Sequence, residues 1–165
     1  MAPWANCNNS YSDGCEANTS NDVLHCGICG QACNLPNARP ECSNGACRIQ
    51  ACNPGWSDCN NDPSDGCEVN LLSDNGHCGA CGSVCTAQNG AAQCTLGVCR
   101  ITSCNAGFND CNLSVTDGCE SNLLTSPSTC GNCVTQCAAP NGTSACNNGM
   151  CELTMCVPPF DDCNQ

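Results

Sequence analysis

The chain repeats one cysteine-spaced segment, and its middle copy, residues 59–110, reads CNNDPSDGCEVNLLSDNGHCGACGSVCTAQNGAAQCTLGVCRITSCNAGFND. The same register recurs 52 residues earlier and later, so that Cys7, Cys59, Cys111 and Cys163 share one column. Each copy follows the pattern C-x7-C-x10-C-x2-C-x3-C-x8-C-x4-C-x4-C and carries eight cysteines. A fixed period of this kind indicates tandem modules. We predict repeats at 7–58, 59–110 and 111–162, with 163–165 beginning a fourth repeat.

Cysteines take the place of a hydrophobic core in this composition. Leu, Ile, Val and Phe make up 21 of the 165 residues, too few for apolar burial to offset conformational entropy. The 25 cysteines compensate, because a disulfide typically adds about 2–4 kcal/mol by restricting the unfolded chain. We predict a small disulfide-rich fold of tandem 52-residue modules with short β-hairpins and little regular secondary structure, stacked as an elongated rod.

The cysteine content and the charge restrict location and partners. Disulfides persist in oxidising compartments, which predicts an extracellular protein, secreted or on the cell surface. A net charge of −12, with three arginines and no lysine, argues against nucleic acid and anionic membranes as partners. No apolar run reaches the roughly 18 residues of a membrane span, so membrane insertion is not expected. With two histidines and no nucleophile or acid–base constellation, we predict that the protein is not an enzyme.

The Asn44-Gly45 pair predicts a β-hairpin, because both residues tolerate positive φ. In this register Cys42 and Cys47 lie opposite each other. They either bond to each other or each bond to the C-G-x-C-G-x-x-C knuckle, residues 26–33. Eight cysteines allow 105 pairings, and their spacing alone does not select one.

One aromatic residue recurs near each boundary between repeats. These residues are Trp4, Trp56, Phe108 and Phe160. In a chain with few large side chains, we predict that they seal each module against its neighbour.

Acidic residues cluster beside the first two cysteines of each repeat. In the second repeat Asp58, Asn60, Asp62, Asp65 and Glu68 offer hard oxygen ligands, and in the third Asp110, Asn112, Asp117 and Glu120 do so. Oxygen ligands gathered in a compact loop are what Ca²⁺ prefers, so we predict no resident cofactor other than a candidate Ca²⁺ at these loops. The alternative is turn formation, with the side chains bonding their own backbone.

Zinc is a second metal hypothesis. His25-Cys26-Gly27-Ile28-Cys29-Gly30 has the spacing of one half of a zinc knuckle. The alternative is that these cysteines form disulfides.

The segment Cys52-Asn53-Pro54-Gly55-Trp56-Ser57-Asp58-Cys59 resembles the last loop of EGF-like modules, in which the two cysteines bond to each other. The resemblance implies the disulfides Cys52–Cys59, Cys104–Cys111 and Cys156–Cys163. The closed units would then be 15–59, 67–111 and 119–163, with Cys7 unpaired. The alternative frame begins at Cys7 and leaves Cys163 over. Either leftover cysteine would suggest a longer array or a bridge between chains.

The run C-G-x-C-G-x-x-C at residues 26–33 and 78–85 looks like the signature of Stig1-type cysteine-rich domains of secreted plant proteins. Together with the preceding D-G-C-E-x-N-L-L, it resembles cysteine-rich tandem repeats of bacterial surface proteins, including those of myxobacteria. The second resemblance spans nearly the whole chain. It implies secretion and a stalk, filament or adhesive role, and it transfers no catalytic residue.

The sequence therefore predicts a disulfide-stabilised structural repeat protein that serves as a stalk, filament subunit or adhesin spacer. Its partners would be further copies of itself or neighbouring repeats of a longer array. The alternative is an extracellular binding module that recognises a protein, a glycan or Ca²⁺ through variable acidic loops. For a protein or glycan, residues 35–39 are one example of a variable loop.

Overall fold

Residues 3–161 are described by a computed structural model, and twelve short β-strands account for their regular structure. The strands are β1 (Trp4–Ala5), β2 (Ala17–Asn18), β3 (Ala38–Ser43), β4 (Ala46–Cys52), β5 (Trp56–Ser57), β6 (Val69–Asn70), β7 (Gly90–Thr95), β8 (Val98–Cys104), β9 (Phe108–Asn109), β10 (Ser121–Asn122), β11 (Gly142–Asn147) and β12 (Met150–Cys156). Consecutive strands pair as six separate two-stranded sheets. No part of this range forms a helix that could cross a membrane. The predicted small disulfide-rich fold with short hairpins is confirmed.

The described residues divide into two compact units. One contains the chain up to Val84 together with Thr95–Val98, and the other contains Cys85–Cys94 together with the chain from Cys99 onward.

The long hairpins form where the turn residues favour them. Asn44 and Gly45 have φ values of 52° and 76°, and Cys42 lies directly opposite Cys47 between β3 and β4. Asn148 and Gly149 form the matching turn between β11 and β12. In the second repeat Leu96 takes the left-handed conformation, at φ 53°. The predicted hairpin is confirmed, and the turn in the second repeat keeps its glycine, Gly97, at φ 75° although Leu takes the place of Asn.

The two opposed cysteines of the hairpin bond outward to the knuckle. Cys42 bonds to Cys26, and Cys47 bonds to Cys33. The hairpin turn and the knuckle touch through glycine backbone, since a Cβ on Gly27 would lie 2.8 Å from the Gly45 carbonyl oxygen. Of the two pairings that the sequence left open, the second is therefore correct.

One pairing scheme recurs along the chain. Counted within a repeat, the first cysteine bonds to the fourth, the third to the sixth and the fifth to the seventh, and the eighth bonds to the second cysteine of the next repeat. The bonds are Cys7–Cys29, Cys26–Cys42, Cys33–Cys47, Cys52–Cys67, Cys59–Cys81, Cys85–Cys99, Cys104–Cys119, Cys111–Cys133, Cys130–Cys146 and Cys137–Cys151. Cys78 and Cys94 are disulfide-bonded as well.

The EGF-like pairing is wrong. Cys52 bonds to Cys67, and Cys59 bonds to Cys81. The reason is the β5–β6 pairing of Trp56 with Asn70, which folds residues 58–68 into a loop and returns Cys67 toward the end of β4.

The corresponding predictions in the other repeats fail in the same way. Cys104 bonds to Cys119 and Cys111 to Cys133. Cys156 has no disulfide partner within residues 3–161, and Cys163 lies outside that range. Cys7 is paired with Cys29, so it is not the leftover cysteine of the EGF-like frame. Since Cys52–Cys67 and Cys104–Cys119 cross the boundaries of the units 15–59, 67–111 and 119–163, those closed units lose their basis. The 52-residue repeat boundaries stay a prediction.

The buried core consists mainly of cysteine side chains. Among the hydrophobic residues that the structure shows as buried, Ala17 and Val69 alone are not cysteine. Three buried cysteines, Cys26, Cys33 and Cys42, form one cluster, against which Cys47 packs. Disulfides thus provide both the cross-links and most of the buried volume, as the composition predicted.

We expect the knuckle–hairpin disulfide to be essential for local stability. Replacing both Cys26 and Cys42 by Ala removes a bridge that closes a segment of 16 residues, which should lower the free energy of unfolding by about 3 kcal/mol. Hydrogen exchange of the β3 and β4 amides measures the loss. Replacing Cys15 by Ala breaks no disulfide and should leave those rates unchanged. Equal protection in both variants would contradict this prediction.

Candidate functional site: the junction between repeats

The open end of the first long hairpin forms one half of the junction. Cys52 ends β4 opposite Ala38, the first residue of β3. The backbone N–H of Asn53 donates to the carbonyl oxygen of Asn37 at 2.8 Å, and Asn37 has a φ of 51°. Pro36, Asn37 and Cys52 therefore lie together at the hairpin base.

Cys67 of the second repeat supplies the other half. Its backbone N–H donates to the Pro36 carbonyl oxygen at 2.9 Å, and its carbonyl oxygen accepts from the Asn37 side-chain amide at 3.2 Å. The sulfur completes the contact through its bond to Cys52. Cys67 is 0% exposed, so this bridge is closed off from solvent on the Cys67 side.

The residue before the bridge has to be glycine. Gly66 has a φ of 81°, and a Cβ there would collide with the backbone of Pro36. The Asp-Gly-Cys-Glu motif therefore has a second purpose besides turn formation, because its glycine lets two repeats come into backbone contact.

The second junction has the same construction. Cys104 bonds to Cys119, whose backbone N–H donates to the Gln88 carbonyl oxygen at 2.8 Å. The Asn89 side-chain amide donates to the Cys119 carbonyl oxygen at 3.3 Å. Since Gln88 stands where Pro36 stood, the contact depends on backbone atoms and tolerates a different side chain.

Leucine and glycine make a further contact across each boundary. A Cβ on Gly55 would lie 2.7 Å from Leu72, and one on Gly107 would lie 2.6 Å from Leu124. The backbone N–H of Leu71 also donates to the Gly55 carbonyl oxygen at 2.8 Å. The Pro54-Gly55 turn and the Leu71-Leu72 pair are both visible in the sequence, but no pattern there predicts that they touch.

The boundary aromatics lie in or near the short strands. Trp4, Trp56 and Phe108 begin β1, β5 and β9, which pair with β2, β6 and β10. Trp56 and Phe108 are partly buried, whereas Trp4 and Phe160 are 53% and 51% exposed. The β5–β6 and β9–β10 pairs join residues of consecutive repeats through their backbones. Sealing by the aromatic side chains stays a prediction.

The acidic loop, residues 58–68, uses its side chains to hold its own shape. Glu68 Oε1 accepts from the backbone N–H groups of Cys59 and Asn60 at 2.9 and 3.1 Å. The Asn60 side-chain amide donates to Asp65 Oδ2 at 2.9 Å. Asp58 and Asp62 accept from backbone N–H groups two or three residues further along.

The third repeat builds its loop in the same way. Glu120 accepts from the Cys111 backbone N–H at 3.1 Å, and the Asn112 amide donates to Asp117 Oδ2 at 2.8 Å. Asp110 Oδ1 accepts from the backbone N–H of Ser114 at 3.2 Å. These contacts match the alternative of turn formation, and Ca²⁺ binding at the nine candidate ligands stays a prediction.

These contacts lower the pKa of several loop carboxyl groups. The pKa of Glu68 is lowered by hydrogen bonds from its own backbone N–H and from those of Cys59 and Asn60, and lastly by the nearby His77. The Asn112 amide lowers the pKa of Asp117, as Asn8 does for Asp13 in the first repeat. The ionised carboxylates are thus the forms that fit the loops.

The cysteines that suggested a zinc site form disulfides in the structure. Cys26, Cys33 and Cys47 have their sulfur atoms within 4.8 Å of one another, as have Cys130, Cys137 and Cys151. All six are in disulfides, and no thiolate is available there for a metal. His25 Nδ1 accepts from the Gly30 backbone N–H at 3.0 Å, so this histidine stabilises the knuckle turn.

The variable loop at residues 35–39 borders a depression of about 390 Å³. Its lining includes Leu35, Pro36, Ala38 and Pro40. Pro36 also accepts the hydrogen bond from Cys67, so the loop is partly engaged at the junction. Recognition of a protein or glycan by this loop stays a prediction.

Comparison with models of protein families, with curated proteins and with solved structures found no match.

The junction glycine should be intolerant of a side chain. Gly66 and Gly14 share a positive φ, of 81° and 77°, but a Cβ on Gly14 would meet nothing within 4 Å. Gly14→Ala should therefore cost only the roughly 1 kcal/mol of a left-handed alanine. Gly66→Ala should cost about 1–3 kcal/mol more because of the collision with Pro36. Denaturant unfolding measures both values, and equal costs would exclude a tight junction.

The acidic loop should loosen in acid. Because the pKa of Glu68 is lowered in the folded protein, its contribution is complete above the ordinary carboxyl value of about 4.3 and is lost as the pH falls through the lowered value. Exchange of the Cys59 and Asn60 amides, corrected for intrinsic rates, should accelerate over that range. Glu68→Gln should remove this dependence, whereas Glu41→Gln, in β3, should preserve it. An unchanged profile in Glu68→Gln would refute the assignment.

Proposed function

We propose that the protein is an extracellular structural repeat, a stalk, filament subunit or adhesin spacer, whose modules are stapled to one another in series. The observation that carries this proposal is the bond from the eighth cysteine of one repeat to the second of the next, seen as Cys52–Cys67 and Cys104–Cys119. A bridge between modules transmits load without relying on a hydrophobic interface. The disulfide content supports an oxidising, extracellular location.

The bridges also keep the chain joined if an acidic loop is cut. The acidic loop between Cys59 and Cys67 is spanned by two bonds, Cys52–Cys67 and Cys59–Cys81. A cut between these cysteines would leave both pieces attached by two covalent bonds. In the third repeat Cys104–Cys119 and Cys111–Cys133 span the matching loop. A spacer in a protease-rich environment needs this property, whereas a binding module does not require it at every loop.

Between Cys7 and Cys151, the segments without a spanning disulfide lie inside strands. Residues 48–51 of β4 fall between Cys33–Cys47 and Cys52–Cys67, and no bond that the structure describes crosses them. Their protection comes from pairing with β3. Arg48 and Arg100 stand at equivalent positions of β4 and β8, which provides a natural control for cleavage outside the spanned loops.

The proposal predicts that a cut acidic loop stays covalently joined. A site-specific protease sequence inserted between Asn61 and Asp62 should be cleaved, and the product should migrate as one species without reductant and as two with it. Trypsin in denaturant, cutting after Arg48 and Arg100, should separate the chain without reductant. Separation of the loop-cut product without reductant would overturn the proposed stapling.

A further inference from the structure

Each end of the described chain presents one half of a junction. Cys15 and Cys156 have no disulfide partner among residues 3–161. Cys15 is the second cysteine of its repeat, equivalent to Cys67, and Cys156 is the eighth of its repeat, equivalent to Cys52. The two thiols are therefore of the complementary kinds that form the bridges inside the chain.

The half-junction at Cys156 already has its bonded shape. Cys156 lies opposite Gly142 at the base of the β11–β12 hairpin. The Val157 backbone N–H donates to the Asn141 carbonyl oxygen at 2.8 Å, the same distance as from Asn53 to Asn37. Asn141 has a φ of 56°, close to the 51° of Asn37. The hairpin base at Cys156 therefore has the junction conformation without a bound partner.

The half-junction at Cys15 is also formed, but it is uncovered. Gly14 has a φ of 77°, between the values of Gly118 and Gly66, so the chain approaches Cys15 in the conformation used at both internal junctions. A Cβ on Gly14 would meet nothing within 4 Å, and Cys15 is exposed, whereas Cys67 and Cys119 are 0% exposed. A surface that is buried at two junctions is thus open at a third position.

We propose that a second copy of this chain occupies this surface, so that Cys156 of one copy bonds to Cys15 of the next and the copies join head to tail. The proposal rests on the stapled array proposed above and identifies its partner. The docking contacts would repeat those at Cys67, with the Cys15 backbone N–H donating to the Pro140 carbonyl oxygen and the Asn141 amide donating to the Cys15 carbonyl oxygen. The contact depends on backbone atoms, and Pro140 supplies the same residue type as Pro36.

The bond requires an oxidant, and a small-molecule disulfide supplies it by exchange. The Cys156 thiolate attacks the oxidant, forms a mixed disulfide and releases one small thiol. The Cys15 thiolate then attacks the Cys156 sulfur and releases the second small thiol. The two cysteines lose two protons and two electrons in total, and the oxidant becomes two thiols.

One steric condition follows from the internal junctions. There the segment after Cys52 supplies β5, which pairs with β6. At the proposed junction Trp4–Ala5 of the incoming copy already pairs with its own Ala17–Asn18. Residues 158–161 of the first copy must therefore take another path, and deleting the chain from residue 158 onward should speed the linkage. Because each copy carries a net charge of −12, added salt should speed it as well.

The test is oxidation of the folded protein with a glutathione redox buffer, followed by electrophoresis without reductant. A Cys163→Ser background removes the cysteine outside the described range. This background should give a ladder of monomer, dimer and higher species, with a Cys15–Cys156 peptide found by mass spectrometry. With Cys15→Ser or Cys156→Ser added to this background, only monomer should be seen. A mixture of these two variants should form dimer but no longer species.

Two outcomes would overturn the inference. One is the absence of a ladder in the background protein, and the other is dimer formation by either serine variant on its own. Neither outcome affects the loop-cleavage test, so the stapled array could stand while the head-to-tail linkage fails. Both serine variants break no described disulfide and should keep the amide protection of the parent protein.

Discussion

The bond between the eighth cysteine of one repeat and the second of the next is the constraint on which the other features depend. Cys52 can reach Cys67 only if the intervening chain turns back through β5 and β6, and only if residue 66 lacks a side chain. The bridge therefore determines the acidic loop, the junction glycine and the hydrogen bonds of the Pro36-Asn37 turn. Most globular domains achieve such docking with a larger set of apolar side chains, of which this chain has few.

Because the buried residues are mainly disulfide-bonded cysteines, the backbone segments beside them come into close contact. A disulfide brings two segments close together, so the residues beside it must present backbone to each other. Gly27 against Gly45, and Gly66 against Pro36, show how this is achieved. The polar backbone groups exposed by such packing are satisfied by local side chains, as with Glu68 at Cys59. A charged loop that resembles a metal site can thus serve mainly as a set of internal acceptors.

The fold class and the hairpin could be predicted because they follow from local signals, namely the cysteine spacing and the Asn44-Gly45 turn. The disulfide partners could not be predicted, because pairing depends on where β5 and β6 return the chain. The Cys52–Cys59 assignment failed for this reason, since nearness in sequence was taken as nearness in space. The glycine contacts could not be predicted either, because the position of a glycine in a motif does not show which part of the chain it packs against.

The most direct test is a disulfide map of the native protein with free thiols blocked first. Cleavage at Arg48 and Arg100, followed by cleavage after Asp58, Asp65 and Glu68, separates the relevant cysteines onto different peptides. Peptide 49–58, with Cys52, should be joined to peptide 66–68, with Cys67. Peptide 59–65, with Cys59, should be joined to the peptide containing Cys81. A bond between peptides 49–58 and 59–65 would contradict the junction and everything built on it.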